Sequence, residues 1–298
     1  MTVAETVNTV RRVISKDEVA DPGDWRQANL AMWDERVPIH LRSDFYDLSG
    51  FRVSPDQLRG FEIDEVGEVS GQQLLHLQCH IGTDTLSWAQ RGAVVTGLDF
   101  SGPAVAGARD LASELGLEPG QARFVQADVY DALTALDGQR YDIVYTGLGA
   151  LCWLPDLRRW ARTVASLLVP GGFLYLSEFH PVGFCLGPDG TTVDQDYSRR
   201  GAIVADESGS YADPSAQTEY NRSVWWQHTL GDVVSAVAGA GLRLEFLHEF
   251  DFTLFKLVPG LVKVPDTSGS GGSSGTVYRL PDGAPRVPLL FSLRAVRD

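Results

Sequence analysis

The chain has 298 residues, 44% hydrophobic and 21% charged, a balance that suits a soluble globular protein of one large domain or two small ones. Its 39 acidic residues outnumber 25 basic ones, and the net charge of −14 argues against nucleic-acid and anionic-lipid partners. No stretch is long and apolar enough for a membrane span, and the N-terminus lacks the apolar core of a secretory signal. Cys79, Cys152 and Cys185 show no C-x-x-C pairing, which fits reduced thiols in a cytoplasmic chain.

In chain order, residues 1–23 read as a weakly ordered arm that ends at Asp21-Pro22-Gly23. From Asp24 to Tyr46 the chain turns aromatic and charged, with helical segments interrupted near Pro38. Trp33 and Tyr46 there either fill a hydrophobic seam or line a pocket. Phe61 to Val69 lead into the first core strand, after a turn at Val69-Ser70-Gly71.

The stretch Gln73–Ser101 organises the rest of the chain. Leu74, Leu75 and Leu77 mark a strand, Gln78 to Thr83 a loop, and Leu86, Trp88 and Ala89 an amphipathic helix stopped at Arg91-Gly92. Val94, Val95 and Leu98 form the next strand, and Asp99 stands where it leaves the sheet. Ligands of open parallel α/β sheets lie at the carboxyl ends of the strands, so this loop and this acid converge on one ligand. Asp99 follows Gly82 at roughly the offset of about 20 residues at which an acid grips a ribose diol. A dinucleotide fits less well, because its pyrophosphate requires G-x-G-x-x-G and the loop here is Gln78-Cys79-His80-Ile81-Gly82. A ribose without a pyrophosphate points to S-adenosylmethionine.

At this point the sequence resembles the class I S-adenosylmethionine-dependent methyltransferases of the small-molecule type. Leu75-His76-Leu77-Gln78-Cys79-His80-Ile81-Gly82 aligns with the family's first motif, which is like LDLGCGTG. His76 replaces its acid, and Gln78 and His80 replace glycines. The resemblance covers about residues 70–250 and, more loosely, the last strand. It implies S-adenosyl-L-methionine as cofactor, S-adenosyl-L-homocysteine as product, and a Rossmann-like α/β fold. The seven-stranded sheet is expected in the order 3-2-1-4-5-7-6, with strand 7 antiparallel. Residues 1–69 become an arm and helical cap, and 70–298 the core with an insertion at 182–222. Gln78, His80, Gly82, Thr83 and Asp99 are the implied cofactor residues of the first two strand tips.

Ser101-Gly102-Pro103 starts a helix that runs to about Leu115. The resemblance puts Phe100 on the adenine face, and Ala127, Asp128 and Val129, after the strand Ala122–Gln126, around the adenine edge. Either could also be structural: a core phenylalanine, or a turn aspartate. Tyr141–Tyr145 is the fourth strand, and Thr146 at its tip is implied to touch the methionine portion. Trp153 precedes the helix Leu157–Leu168, and Pro170-Gly171-Gly172 turns it into the fifth strand, Phe173–Glu178.

His180 follows that strand, and His228 precedes the helix Leu230–Ala240. Either histidine could take a proton from an acceptor, with Glu178 orienting the ring, or could simply hydrogen-bond its loop. Trp33, Tyr46, Trp153 and Tyr197 are candidate acceptor contacts; Tyr211 and Tyr220 of the insertion could line the same pocket, and any of these three tyrosines could equally pack in a hairpin. Leu242–Glu249 reads as the sixth strand and Pro288–Val296 as the seventh, with a flexible connector at 266–276 between them. There is no clustered His, Cys and Asp set at metal-ligand spacing.

The expected function is methyl transfer from S-adenosylmethionine to a small molecule, at a hydroxyl or carboxylate oxygen or at carbon, in specialised (natural-product) metabolism. Homo-oligomers are compatible with it. Two alternatives are a non-catalytic cofactor binder and, less favoured, a nicotinamide-dependent reductase. The reductase predicts a glycine triplet and a Tyr-x-x-x-Lys pair that the sequence lacks.

Overall fold

A computed structural model describes residues 24–266 and 275–298. The expectations for the arm 1–23 and for most of the connector 266–276 lie outside the described residues. Three helices come first: α1 (Trp25–Arg42), α2 (Leu48–Val53) and α3 (Gly60–Val66). The alternating part comes next as β1 (Gln73–Leu77), α4 (Thr83–Gln90), β2 (Val94–Asp99), α5 (Gly102–Glu114), β3 (Ala122–Gln126), α6 (Ala132–Ala135), β4 (Tyr141–Thr146), α7 (Leu157–Leu167) and β5 (Leu168–Phe179). Beyond it lie α8 (Pro181–Cys185), β6 (Ala202–Asp206), β7 (Arg222–Trp226), α9 (Leu230–Gly239) and β8 (Leu242–Phe250). The last strands are β9 (Phe252–Thr253), β10 (Val262–Pro265), β11 (Thr276–Arg279) and β12 (Leu290–Arg297).

The main sheet has seven strands in the order β3-β2-β1-β4-β5-β12-β8. With β8 and β12 as the sixth and seventh strands, this is the expected order. β12 runs antiparallel to both of its neighbours, β5 and β8. The order reverses between β1, which pairs with β2 on one side, and β4 on the other. That reversal opens a crevice at the carboxyl ends of the strands.

Both faces of the sheet are covered, so its central strands are apolar almost throughout. One face packs Trp160, Val164 and Leu167 of α7 and Val233 and Val237 of α9 against Leu75, Val144 and Leu174. The other packs Leu86 and Trp88 of α4 and Val105, Ala108 and Leu111 of α5 against Leu74, Val95 and Ile143. Ser101 caps α5 by accepting from the Ala104 amide at 3.3 Å, and Thr229 with Asp232 forms a capping box on α9. The Pro170-Gly171-Gly172 turn is absorbed into β5 as an irregularity, because Leu168 already pairs with Tyr141 before the regular ladder begins at Phe173.

The structure corrects the reading of the N-terminal helices at one point. α1 does not stop near Pro38 but continues to Arg42. A proline removes one hydrogen bond from the helix. Here both halves are fastened from outside, chiefly by the insertion. The Asn29 side chain accepts from the Val224 amide and donates to the Val224 carbonyl, both at 2.8 Å. Glu35 accepts the amides of Glu219 and Tyr220, and Arg36 donates to the carbonyls of Glu207 and Tyr220. Asn29 is buried, so an Asn29→Leu substitution strands two polar groups of β7. We expect it to lower unfolding free energy by about 2 kcal/mol, measured by urea titration.

The insertion is more ordered than its composition indicates. β6 and β7 form an antiparallel hairpin. A second small sheet, in the order β10-β11-β9, was not anticipated from the apolar run after Phe250. Its alternating segments, VKVP and TVYR, lie on either side of a Gly- and Ser-rich stretch whose composition masks them. Among the described residues no helix is long and apolar enough to cross a membrane.

Candidate active site

The crevice at the reversal point is a cleft walled by the tips of β1, β2, β3 and β4, by α1, and by the insertion. Seven of the ten expected cofactor residues line it: Gln78, His80, Asp99, Phe100, Ala127, Asp128 and Val129. The other three do not. Gly82 lies behind the loop, with φ +79, and a Cβ there would stand 2.8 Å from the Phe124 ring and 2.9 Å from Ala108 Cβ. Its role is to let α4 start tight against β3 and α5. Gly82→Ala should cost about 2 kcal/mol or more, through backbone strain and overpacking together, visible as a lower melting temperature. Thr83 is buried, and its carbonyl accepts from the Ser87 hydroxyl at 2.8 Å. Thr146 is fully buried at the end of β4.

The loop after β1 keeps its shape without the two glycines of the motif. Gln78 sits at φ +57 and His80 at φ +50. The backbone therefore keeps the left-handed path that glycine favours, and the two side chains cost about 1–2 kcal/mol each. Both side chains reach across the cleft. Gln78 Nε2 donates to the Ala150 carbonyl at 3.0 Å, and His80 Nε2 lies 2.7 Å from His40 Nδ1 on α1.

Asp99 holds this loop from behind. Its Oδ2 accepts the His80 amide at 2.8 Å and its Oδ1 accepts the Ser101 amide at 2.9 Å. Burial pushes its pKa up to about 6, although those two amides pull the other way. Each oxygen keeps a further lone pair for a ligand. Asp128, at the third tip, accepts from the Tyr130 amide and pairs with Arg26 Nε at 2.8 Å.

A different carboxylate holds the fourth tip. Glu178 is buried and accepts four backbone amides: Gly149 at 2.7 Å, Ala150 at 2.9 Å, Leu151 at 3.0 Å and Phe179 at 2.7 Å. Burial raises its pKa against the pull of those amides. It does not orient His180, as the sequence suggested; it shapes the loop that carries Gly149, Ala150 and Trp153 into the cleft.

His180 and His228 stand outside the cleft. His180 Nδ1 accepts the Val182 amide at 3.2 Å, capping α8, while Nε2 faces Glu249 at 3.0 Å. His228 Nε2 donates to the Leu154 carbonyl at 2.8 Å and lines a smaller recess with Glu178 and Trp225. Burial lowers the pKa of both. A histidine at a strand or helix end is well placed to satisfy loop backbone, and that is what these two do.

Of the candidate acceptor contacts, Trp33, Tyr46 and Trp153 line the cleft. Tyr197 does not: its hydroxyl accepts the Leu230 amide at 3.2 Å and ties the insertion to α9. Tyr211 takes its place in the wall, with its hydroxyl bonded to that of Tyr46. Sequence reasoning also missed His40. Its separation of 40 residues from His80 leaves no local pattern, and a histidine inside a predicted helix carries no signal of its own. Trp33 packs edge-on to Trp153 and His80, and Tyr211 lies 4.7 Å from the His40 ring.

Comparison with known proteins agrees with this geometry. Residues 74–172 match a family model described as a methyltransferase domain. The ubiquinone biosynthesis O-methyltransferase of Escherichia fergusonii is 32% identical over 148 residues, 48% of this chain and 59% of that protein. The chain thus matches less than two thirds of that relative's length. Among solved structures, an S-adenosylmethionine-dependent methyltransferase from Mesorhizobium loti superposes with a TM-score of 0.52 at 22% identity, covering 78% of this chain and 93% of its own. The glycopeptide N-methyltransferase MtfA, solved with S-adenosylmethionine, gives 0.50 at 18% identity, covering 80% and 92%. The fold is that of the S-adenosylmethionine-dependent methyltransferases. The stretch that matches the methyltransferase domain, residues 74–172, carries the strands at the centre of the seven-stranded sheet.

Proposed function

We propose that the protein transfers the methyl group of S-adenosyl-L-methionine to an oxygen of a small molecule, releasing S-adenosyl-L-homocysteine. The observation that carries this reading is one cleft with two kinds of wall. The side near β2 and β3 offers Asp99, Phe100 and Asp128, and the side near α1 offers Trp33, Tyr46, Trp153 and Tyr211. The cofactor fits the first. Asp99 has lone pairs for a ribose diol, and Asp128 at the third tip is read as the acceptor for an adenine amino group. Gln78 Oε1 is buried without a partner among the described residues, an acceptor suited to the ammonium of the methionine end. When bound, the cofactor supplies an electrophilic methyl on a sulfonium. The chain's own task is to hold the acceptor in line with it and keep water out.

The aromatic side supports a small apolar acceptor, and the net charge of −14 disfavours a nucleic acid. Oxygen is favoured over carbon or nitrogen because the relative from Escherichia fergusonii is an O-methyltransferase. A cytoplasmic place in specialised metabolism belongs to the same reading. Calorimetry with S-adenosylhomocysteine and transfer of labelled methyl to a panel of alcohols, phenols and carboxylic acids test it. Binding without transfer would leave a cofactor-binding protein. Binding of a nicotinamide dinucleotide instead would leave a reductase.

A further inference from the structure

We propose that His80, backed by His40 and Ser210, is the group that takes the proton from an acceptor hydroxyl, and that the acceptor class is therefore a neutral phenol or alcohol. This rests on the methyltransferase reading above and adds to it the identity of the base. Three segments distant in sequence build the array. His80 comes from the loop after β1, His40 from α1 and Ser210 from the insertion. His40 Nδ1 lies 2.7 Å from His80 Nε2, and His40 Nε2 lies 2.5 Å from Ser210 Oγ. His40 is fully buried and Ser210 nearly so, whereas His80 lines the cleft. His80 Nδ1 has no hydrogen-bond partner among the described residues, so it is the nitrogen free to meet an acceptor.

The strain at His80 points the same way. A position at φ +50 favours glycine, yet an imidazole is carried there at a cost and set against a second imidazole. The ring walls keep both neutral. Trp33 lies 5.5 Å from the His80 ring and Tyr46 5.6 Å from it. The titratable and charged groups around the pair are Arg36 one turn back on α1, Tyr46 after that helix, Tyr211 in the insertion and Asp99 behind the loop. Burial, with each ring beside another positive or potentially positive group, takes His40 down to about 4 and His80 to about 3. Both rings are therefore uncharged at neutral pH.

The proton balance closes. The acceptor oxygen bonds to the methyl carbon, the carbon–sulfur pair returns to sulfur, and one proton remains. His80 Nδ1 takes it. The His80 Nε2 proton passes to His40 Nδ1, the His40 Nε2 proton passes to Ser210 Oγ, and the serine's own proton leaves to water. Each imidazole ends neutral, in its other tautomer.

The test uses His80→Asn, since asparagine tolerates the left-handed backbone, and His40→Gln, which interrupts the path one residue further out. Methyl transfer to phenol and to 4-nitrophenol is compared in mildly alkaline buffer, where the nitrophenol is already ionised and needs no base. With His80→Asn, transfer to phenol should fall by about 100-fold or more, and transfer to 4-nitrophenol by less than about threefold. His40→Gln should show the same selectivity with a smaller loss. Nitrogen-15 spectra of the unliganded protein should show both rings uncharged at pH 6. Equal losses for the two phenols, or an imidazolium signal from either ring at pH 6, would overturn the assignment. So would the absence of transfer to both phenols in a protein that still binds S-adenosylhomocysteine. Failure to bind that nucleoside would instead remove the methyltransferase reading itself.

Discussion

Asp99→Ala should weaken binding of S-adenosylhomocysteine by about 100-fold, roughly 3 kcal/mol, while the protein stays folded. On the proposed reading the carboxylate has two jobs, and the substitution removes both. The ribose loses its acceptor, and so do the His80 and Ser101 amides. The pH dependence separates these jobs. The ionised form accepts hydroxyl donors on both oxygens, and a protonated Asp99 turns one oxygen into a competing donor. With its pKa near 6, affinity should be flat above about pH 7 and fall as pH drops through 6. Asp99→Asn should abolish that dependence. Calorimetry at several pH values reads both effects, and an Asp99→Ala protein with unchanged affinity would exclude the ribose assignment.

Glu178→Gln should be the most damaging substitution for the fold at equal side-chain volume. Each carboxylate oxygen accepts two backbone amides. An amide group keeps one oxygen and turns an NH2 toward the other pair of N–H donors, leaving them buried and unpaired. The cost is about 3 kcal/mol or more. It falls on the loop that carries Gly149 and Ala150, and the Ala150 carbonyl holds Gln78. Loss of stability and loss of cofactor affinity should therefore appear together. Chemical denaturation and calorimetry on one preparation check this, and a stable variant with intact affinity would contradict it.

The order of the sheet was legible because its signals are local and repeated. Apolar strands, capped helices and the Asp99 tip each announce themselves within about ten residues, and parallel strands joined by helices admit few arrangements. The strand-tip half of the cleft came directly from this, since Asp99, Phe100 and Asp128 line it from the tips. The aromatic half did not. His180 looked catalytic because it stands after β5 at the mouth, yet its ring was needed to cap α8 and meet Glu249. His40 and Ser210 escaped notice because they gain meaning only when α1 and the insertion meet. That contact is fixed by Asn29, Glu35 and Arg36, whose partners are backbone groups and leave no pattern of side chains to read. The loop after β1 was an intermediate case. The substitutions at 78 and 80 were plain, and the left-handed backbone that survives beneath them was not.

α1 touches both ends of the cleft at once. Arg26 pairs with Asp128 at one end, Trp33 packs on Trp153 in the aromatic half, and the insertion is bolted to the same helix. One helix therefore covers both halves. Under the proposed methyl transfer, release of the nucleoside and of the methylated product should therefore share one movement of α1. A rapid first turnover followed by a slower steady phase would be its kinetic signature.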